Sequence, residues 1–213
     1  MRRPGAVLEL LLGAAVSLGA ISSVGGQTNG APPTLSSGVT NASRPAKWAV
    51  KLDRPPLSNF HQVTTNLYRG AQPNKRGMAE LKAMGIKTVM NLRSLHSDDD
   101  EARGLGLKLQ RLHMKPWHSE EEDVVGFLKV AANTNNYPIF VHCQRGADRT
   151  GLVCAMYRVV FEDWAKADAI QEMKEGGFNF DPRWKNIVTY IERADVEDVK
   201  RKAGIASADP SKP

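Results

Sequence analysis

Pro138-Ile139-Phe140-Val141-His142-Cys143-Gln144-Arg145-Gly146-Ala147-Asp148-Arg149-Thr150-Gly151 is the stretch on which the fold turns. Pro138 to Val141 is a short, wholly apolar run, the pattern of a central strand buried on both faces. From Thr150 to about Phe161 the chain is strongly apolar again and reads as a helix. Between the two lies a polar loop carrying two arginines and an aspartate. A loop that turns from a strand straight into a helix gathers backbone N–H groups around one point, and the helix start adds about half a positive charge. Gly146 lets the chain bend tightly and keeps side chains out of the way. Arg149 contributes a planar guanidinium that can grip two oxygens at once. His142, Gln144, Arg145, Gly146 and Ala147 are therefore expected to form a cradle for a dianionic oxyanion such as phosphate.

Outward from this stretch, elements alternate. Leu67-Tyr68-Arg69 reads as a strand ended by Gly70 and Pro73. Asn74 is placed to cap a helix with Met78, Leu81 and Met84 on one face and Gly85 in the stop position. Ile86 to Leu92 is a strand, the polar stretch Ser97 to Arg103 carries a short helix, and Leu109 to Met114 is another strand. Glu120 to Asn133 is helical, with Val124, Phe127, Leu128 and Ala131 at i, i+3, i+4 and i+7. Ser119 reads as its N-cap. Two further helices run roughly from Trp164 to Lys174 and from Pro182 to Lys202. This alternation predicts a single layered α/β domain with a mostly parallel sheet flanked by helices, over residues 47–205. The loop then lies at the carboxyl end of a strand, where open α/β sheets bind ligands.

The chain has 213 residues, 41% of them hydrophobic, enough for one domain with tails. No repeat of roughly 20–50 residues occurs, which excludes a solenoid or propeller. The net charge of +6 suits anionic partners, but the basic residues are scattered and carry no nucleic-acid signature, so nucleic-acid binding is not expected. Arg2, Arg3 and the apolar run Leu10 to Ile21 read as an export signal over residues 1–26, with small residues around Gly25 for cleavage. The run is short of the ~20 residues that cross a bilayer; an uncleaved membrane anchor is the alternative, and the compartment is then periplasmic or extracellular. Residues 27–46 are rich in Gly, Ser, Thr, Asn and Pro and read as a disordered linker holding the sequon Asn41-Ala42-Ser43. Residues 206–213 form a second polar tail. A monomer is expected.

Two cysteines in an exported chain suggest a disulfide, but their positions argue otherwise. Cys154 falls about one turn inside the helix, as a small buried hydrophobe. Cys143 stands at the mouth of the cradle, where N–H donors, the helix start and Arg149 all favour thiolate over thiol. A thiolate at the floor of a phosphate site suggests covalent catalysis. Cys143 attacks phosphorus, water hydrolyses the phosphocysteine, and the Thr150 hydroxyl donates to the departing sulfur. His142 shapes the loop and supports the thiolate. In an oxidising compartment such a thiolate is open to sulfenic acid formation, so activity should rise with added reductant.

His142-Cys143-x5-Arg149-Thr150-Gly151 resembles the signature loop of the cysteine-dependent protein-tyrosine and dual-specificity phosphatase superfamily. Leu67-Tyr68-Arg69-Gly70-Ala71-Gln72-Pro73 and Gly85 to Arg93 are similar to the N-terminal half of its compact, atypical bacterial members. The resemblance spans roughly Asn59 to Ile191. It implies hydrolysis of phosphoprotein, phosphoinositide or inositol polyphosphate esters without a metal or other cofactor, with Cys143 as nucleophile and Arg149 on the phosphoryl group.

The general acid is the open position. Family members often place an aspartate after Trp-Pro; here the region reads Lys115-Pro116-Trp117-His118-Ser119-Glu120-Glu121-Glu122-Asp123, and no aspartate follows directly. Glu120 to Asp123 also suit a helix start. Asp148 inside the loop is the favoured acid, as in some similar bacterial phosphatases, with the acidic cluster, His118 or water as alternatives. Arg145 is either solvated or meets a second phosphate, as the Cys-x-Arg-Gly opening of inositol pyrophosphate phosphatases suggests. Arg69 is expected in a structural ion pair rather than as a buttress of the pocket. Two other classes stay open: a non-catalytic phosphate-binding module, disfavoured by Cys143, Arg149 and Thr150 together, and a rhodanese-type sulfur transferase, disfavoured by its shorter loop.

Overall fold

Asn74 accepts a hydrogen bond from the Gly77 N–H at 2.9 Å and starts helix α1, Lys75–Ala83. Such a cap is worth about 1 kcal/mol. Gly85, at φ +84°, then ends the helix, and the Ile86 N–H reaches back to the Leu81 carbonyl at 3.0 Å. These local signals bring the chain from strand β3, Leu67–Ala71, to strand β4, Thr88–Asn91. The computed structural model describes residues 45–115, 117–118 and 120–205. The proposed signal, linker, sequon and C-terminal tail lie outside them, apart from the linker's last two residues, as does the proposed cap Ser119.

The sheet has six strands in the order β1-β2-β3-β6-β4-β5, where β1 is Val50–Lys51, β2 is His61–Gln62, β5 is Lys108–Arg111 and β6 is Ile139–Cys143. The four strands β3, β6, β4 and β5 pair in parallel; β2 and β1 add an antiparallel edge. Every residue of β6 is buried, as expected of a central strand covered on both faces. Phe140 joins Phe60, Met78, Leu81 and Val89 under α1 on one face. Ile139, Val141 and Cys143 belong to the larger core on the other. That face carries α2 (Glu121–Ala132), α3 (Asp148–Phe161), α4 (Lys166–Glu175), α5 (Lys185–Arg193) and α6 (Val196–Ala203).

Three elements differ from the sequence reading. Ser97 to Arg103 makes a run of turns and no helix, and the Asp98 side chain is engaged by His142 and Gln72 instead of capping one. The predicted helix Pro182 to Lys202 is two helices. Ala194 leaves helical geometry and Asp195 caps α6 by accepting from the Asp198 N–H, the competition with the backbone that makes aspartate a poor interior residue. The N-cap position of α2 is Glu120, which makes no side-chain cap bond. Among the described residues no helix is long and apolar enough to cross a membrane.

Candidate active site

Parallel register sets the site. Ala71 and Cys143 stand opposite one another, as do Gly70 and His142, and Asn91 and His142. The carboxyl ends of β3, β4 and β6 therefore meet at one level, and the loop 144–147 rises between them. Its shape is fixed from several sides. Gly146 has φ +68° and packs so closely on the end of β3 that an added Cβ would lie 2.2 Å from the Gly70 carbonyl carbon. The buried Arg69 guanidinium donates to the Gly146 carbonyl at 2.9 Å and to the Ala147 carbonyl at 3.3 Å, and stacks over the Phe178 ring at 3.7 Å. Arg69 is thus a buttress of the loop and not a partner in an ion pair, which corrects the expectation. Asn59, itself at φ +50°, donates to the Arg145 and Phe178 carbonyls at 2.9 Å each.

Cys143 is 2% exposed at the floor of a cavity of about 290 Å³. Burial pushes its thiol up. The Thr150 hydroxyl and N–H, the Arg149 charge and the Gly146 N–H outweigh that, and the thiol ends below its ordinary value. Thr150 Oγ1 is buried and makes no hydrogen bond to any described residue, which leaves its proton available to the neighbouring sulfur. Arg149 is steered into place by two carbonyls, Leu92 after β4 and Met114 after β5, each 3.2 Å from Nη1. Both cysteines are free thiols; burial raises Cys154 to about 11, which makes it inert beside Cys143.

Gln144, Arg145, Asp148 and Arg149 line the cavity with Cys143. Gly146 offers its backbone N–H, and Ala147 is fully buried at the N-cap of α3. His142 does not line the cavity: it is 0% exposed, and its Nε2 lies 2.9 Å from Asp98 Oδ2. Its placement among the ligand-binding residues is corrected to a supporting role. Asp98 also accepts from Gln72 Nε2 at 2.8 Å. Burial raises the Asp98 carboxyl, and its bonds and charges from His142, Gln72 and His96 bring it below the ordinary range. Asp98 was missed because nothing local in Ser97 to Arg103 announces a partner 44 residues away.

The Asp148 carboxylate, 12% exposed, accepts from Arg145 Nη2 and from the Asp181 N–H, both at 2.9 Å. Asp181, Arg183 and Trp184, in the turn before α5, complete the cavity wall; sequence reasoning did not find them. Hydrogen bonds and charge from Arg183 hold Asp181 down at about 2, so it is ionised throughout the neutral range. Glu120 to Asp123, Trp117 and His118 do not line this cavity. Trp117 is 67% exposed, and Glu120 pairs with Lys115 at 3.2 Å. Burial and the neighbouring Glu120 and Glu122 raise the Asp123 carboxyl.

Fold and site together define a class: an α/β enzyme that receives an oxyanion on an activated cysteine between a parallel strand and a helix. The chain belongs to the tyrosine phosphatase family, whose model matches residues 55–212. It is a cysteine-dependent phosphatase, a phosphoric monoester hydrolase. It is 34% identical over 215 residues to the dual specificity protein phosphatase TpbA of Pseudomonas aeruginosa, covering 99% of this chain and 91% of that one. A crystal structure of a cysteine-to-serine variant of TpbA in complex with pTyr superposes with a TM-score of 0.68. It is 27% identical and covers 77% of this chain and 100% of its own. An inositol diphosphatase, DSP3 of Arabidopsis thaliana, is 26% identical over 155 residues, 68% of this chain and 74% of that one.

Proposed function

We propose that the chain hydrolyses phosphotyrosine and related phosphoprotein monoesters, with Cys143 as nucleophile and Asp148 as proton donor. The observation that carries this reading is the buried Cys143 thiol, drawn below its ordinary value by donors aimed at the same point as the phosphate cradle. Cys143 Sγ forms a bond to phosphorus as the bond to the ester oxygen breaks. Arg149 and the loop N–H groups hold the equatorial oxygens, and Asp148 gives its proton to the leaving oxygen. Water then attacks phosphorus, Asp148 takes up its proton, and the sulfur leaves with the Thr150 hydroxyl as donor. Acid catalysis of this kind contributes about 10²–10⁴-fold. Asp148 is preferred over Asp181 because the Arg183 clamp keeps Asp181 ionised, and over Glu120 to Asp123 because only Asp148 and Asp181 line the cavity among the acidic residues.

Likeness to TpbA and to its pTyr complex supports a phosphoprotein substrate. Arg145 at the rim and the likeness to an inositol diphosphatase favour inositol phosphates as a second reading. A signal or anchor at the N-terminus is part of the same proposal, on the strength of Arg2, Arg3 and the apolar run Leu10 to Ile21, and so is the linker before residue 47, on its Gly, Ser, Thr, Asn and Pro content.

The test is a leaving-group series under reductant and excess EDTA. Asp148→Asn should slow an alkyl phosphate about 100-fold more than a nitrophenyl phosphate, whose good leaving group needs little protonation. Equal loss on both would remove Asp148 as acid; wild-type turnover abolished by EDTA would remove the metal-independent mechanism.

A further inference from the structure

Asp181, Arg183 and Trp184 line the mouth of the Cys143 cavity and take no part in the chemistry above. The Arg183 side chain is 88% exposed, yet it is not loose. Its Nε donates to Asp181 Oδ1 at 3.0 Å and Oδ2 at 3.1 Å, and its Nη2 donates to Oδ2 at 2.7 Å. At the same mouth, Arg145 Nη2 donates to Asp148 Oδ2, while Asp148 Oδ1 accepts from the Asp181 N–H. Two guanidiniums are thus tethered to one continuous strap, and Arg145 and Asp181 feel one another's charge. Each is held by one edge. The Nη1 group of each has no partner among the described residues.

A single phosphoryl group is already met by Arg149 and the loop N–H groups. Each arginine is bound to a carboxyl group, so the rim does not act as a diffuse positive field. What it offers is two fixed guanidinium edges beside the aromatic Trp184, which lines the same mouth. Planar guanidinium forks match carboxylate and phosphoryl oxygens. We propose that Arg183, with Arg145, is a specificity determinant that reads a second anionic group beside the phosphotyrosine. That group is a carboxylate or a second phosphoryl. The inference rests on the phosphatase reading above and deepens it. Exposed charge pairs are weak, so the expected discrimination is about fivefold, or ~1 kcal/mol.

The experiment uses the purified full chain and one phosphotyrosine peptide with four flanks: neutral, glutamate, a second phosphotyrosine, and lysine. Wild type should favour the two anionic flanks over the neutral one by about fivefold in kcat/KM, through KM, and high salt should shrink the preference. Whether the glutamate or the phosphotyrosine flank gains more tells the carboxylate from the phosphoryl source. Arg183→Gln should bring the preference close to one, and Arg183→Glu should turn it toward lysine. A merely structural role would lower all four peptides together. An indifferent wild type, or a preference for anionic flanks that survives Arg183→Glu, would overturn the proposal. Failure of wild type on every peptide, including the neutral one, would overturn the phosphoprotein reading and the proposal with it. The wild-type flank and salt series stands even if a variant does not fold.

Discussion

Replacing Gly146 by alanine puts the smallest side chain at the tightest point of the cradle. The added Cβ would lie 2.2 Å from both the carbon and oxygen of the Gly70 carbonyl and 2.6 Å from the Ala71 nitrogen. These are backbone atoms of β3, paired in register with β6, and they cannot swing aside. Ordinary contact begins near 3.4 Å, so the loop must withdraw by about 1 Å. The left-handed backbone at φ +68° adds about 1–2 kcal/mol for any residue with a Cβ, and overpacking adds about 1–3 kcal/mol. Stabilities of 5–15 kcal/mol are usual for a domain, so a loss of about 2–5 kcal/mol leaves a domain in the middle of that range folded at 25 °C. A 1 Å displacement of a catalytic cradle can cost about 10²-fold in rate. Gly146→Ala should therefore lower kcat/KM on a phosphotyrosine peptide about 100-fold. It should also raise the pH at which iodoacetamide alkylates Cys143, since the Gly146 N–H is withdrawn from the sulfur. A variant within threefold of wild type, with an unchanged alkylation profile and melting temperature, would refute the claim that this close approach shapes the site.

The Thr150 hydroxyl heads the influences that lower the Cys143 thiol, so Thr150→Val should move the acid limb of the pH–rate profile upward. The sign follows from the depressed folded value: the thiolate's stabilisation is full above the unfolded thiol's pKa and is lost as pH falls through the folded one. Alkylation kinetics against pH would check it, and an unmoved limb would count against the hydroxyl-to-sulfur bond. Asp98→Ala leaves the buried His142 ring without its carboxylate, an unsatisfied group worth about 1–3 kcal/mol. It should lower kcat about tenfold, and Asp98→Asn, which keeps an acceptor, should restore most of it. In the core, Glu172 accepts from Arg158 Nε at 3.0 Å and Nη2 at 2.9 Å and from the Ala49 N–H at 2.6 Å. Glu172→Ala removes three buried hydrogen bonds and the guanidinium's buried carboxylate, leaving it Glu162 and the Lys47 carbonyl, at a cost of about 3–5 kcal/mol. Calorimetry should show melting about 10 °C lower, and a drop under 2 °C, against roughly 2–4 °C per kcal/mol, would contradict the buried pair.

The strand, loop and helix around Cys143 were legible because one contiguous segment carries their whole logic: an apolar run, a glycine at the bend, an arginine and a threonine at the helix start. The same holds for α1, where Asn74 and Gly85 mark the ends within the chain itself. What escaped depends on partners far away in sequence. β1 and β2 have two residues each, too few for a period: β2 forms on the edge that β3 offers it, and β1 on the edge of β2. Asp98 finds His142 across the sheet, Arg69 finds loop carbonyls 77 and 78 residues on, and the Asp181 N–H finds Asp148 33 residues back. A polar residue's local sequence says that it needs a partner, but not which one. The break at Ala194-Asp195 was missed because helical spacing continues across it: Ile187 and Ile191 before, Val199 and Ala203 after, all reach one core.

Covalent attack by Cys143 is the centre of the account, and trapping it is the most direct measurement. Wild-type protein turning over a phosphotyrosine peptide would be quenched in acid within milliseconds, digested, and mapped by mass spectrometry. The account predicts a phosphoryl group on Cys143 that decays at the rate of phosphate release, and neither adduct nor turnover in Cys143→Ser. Sustained turnover by Cys143→Ser, or a phosphoryl group carried on another residue, would contradict it.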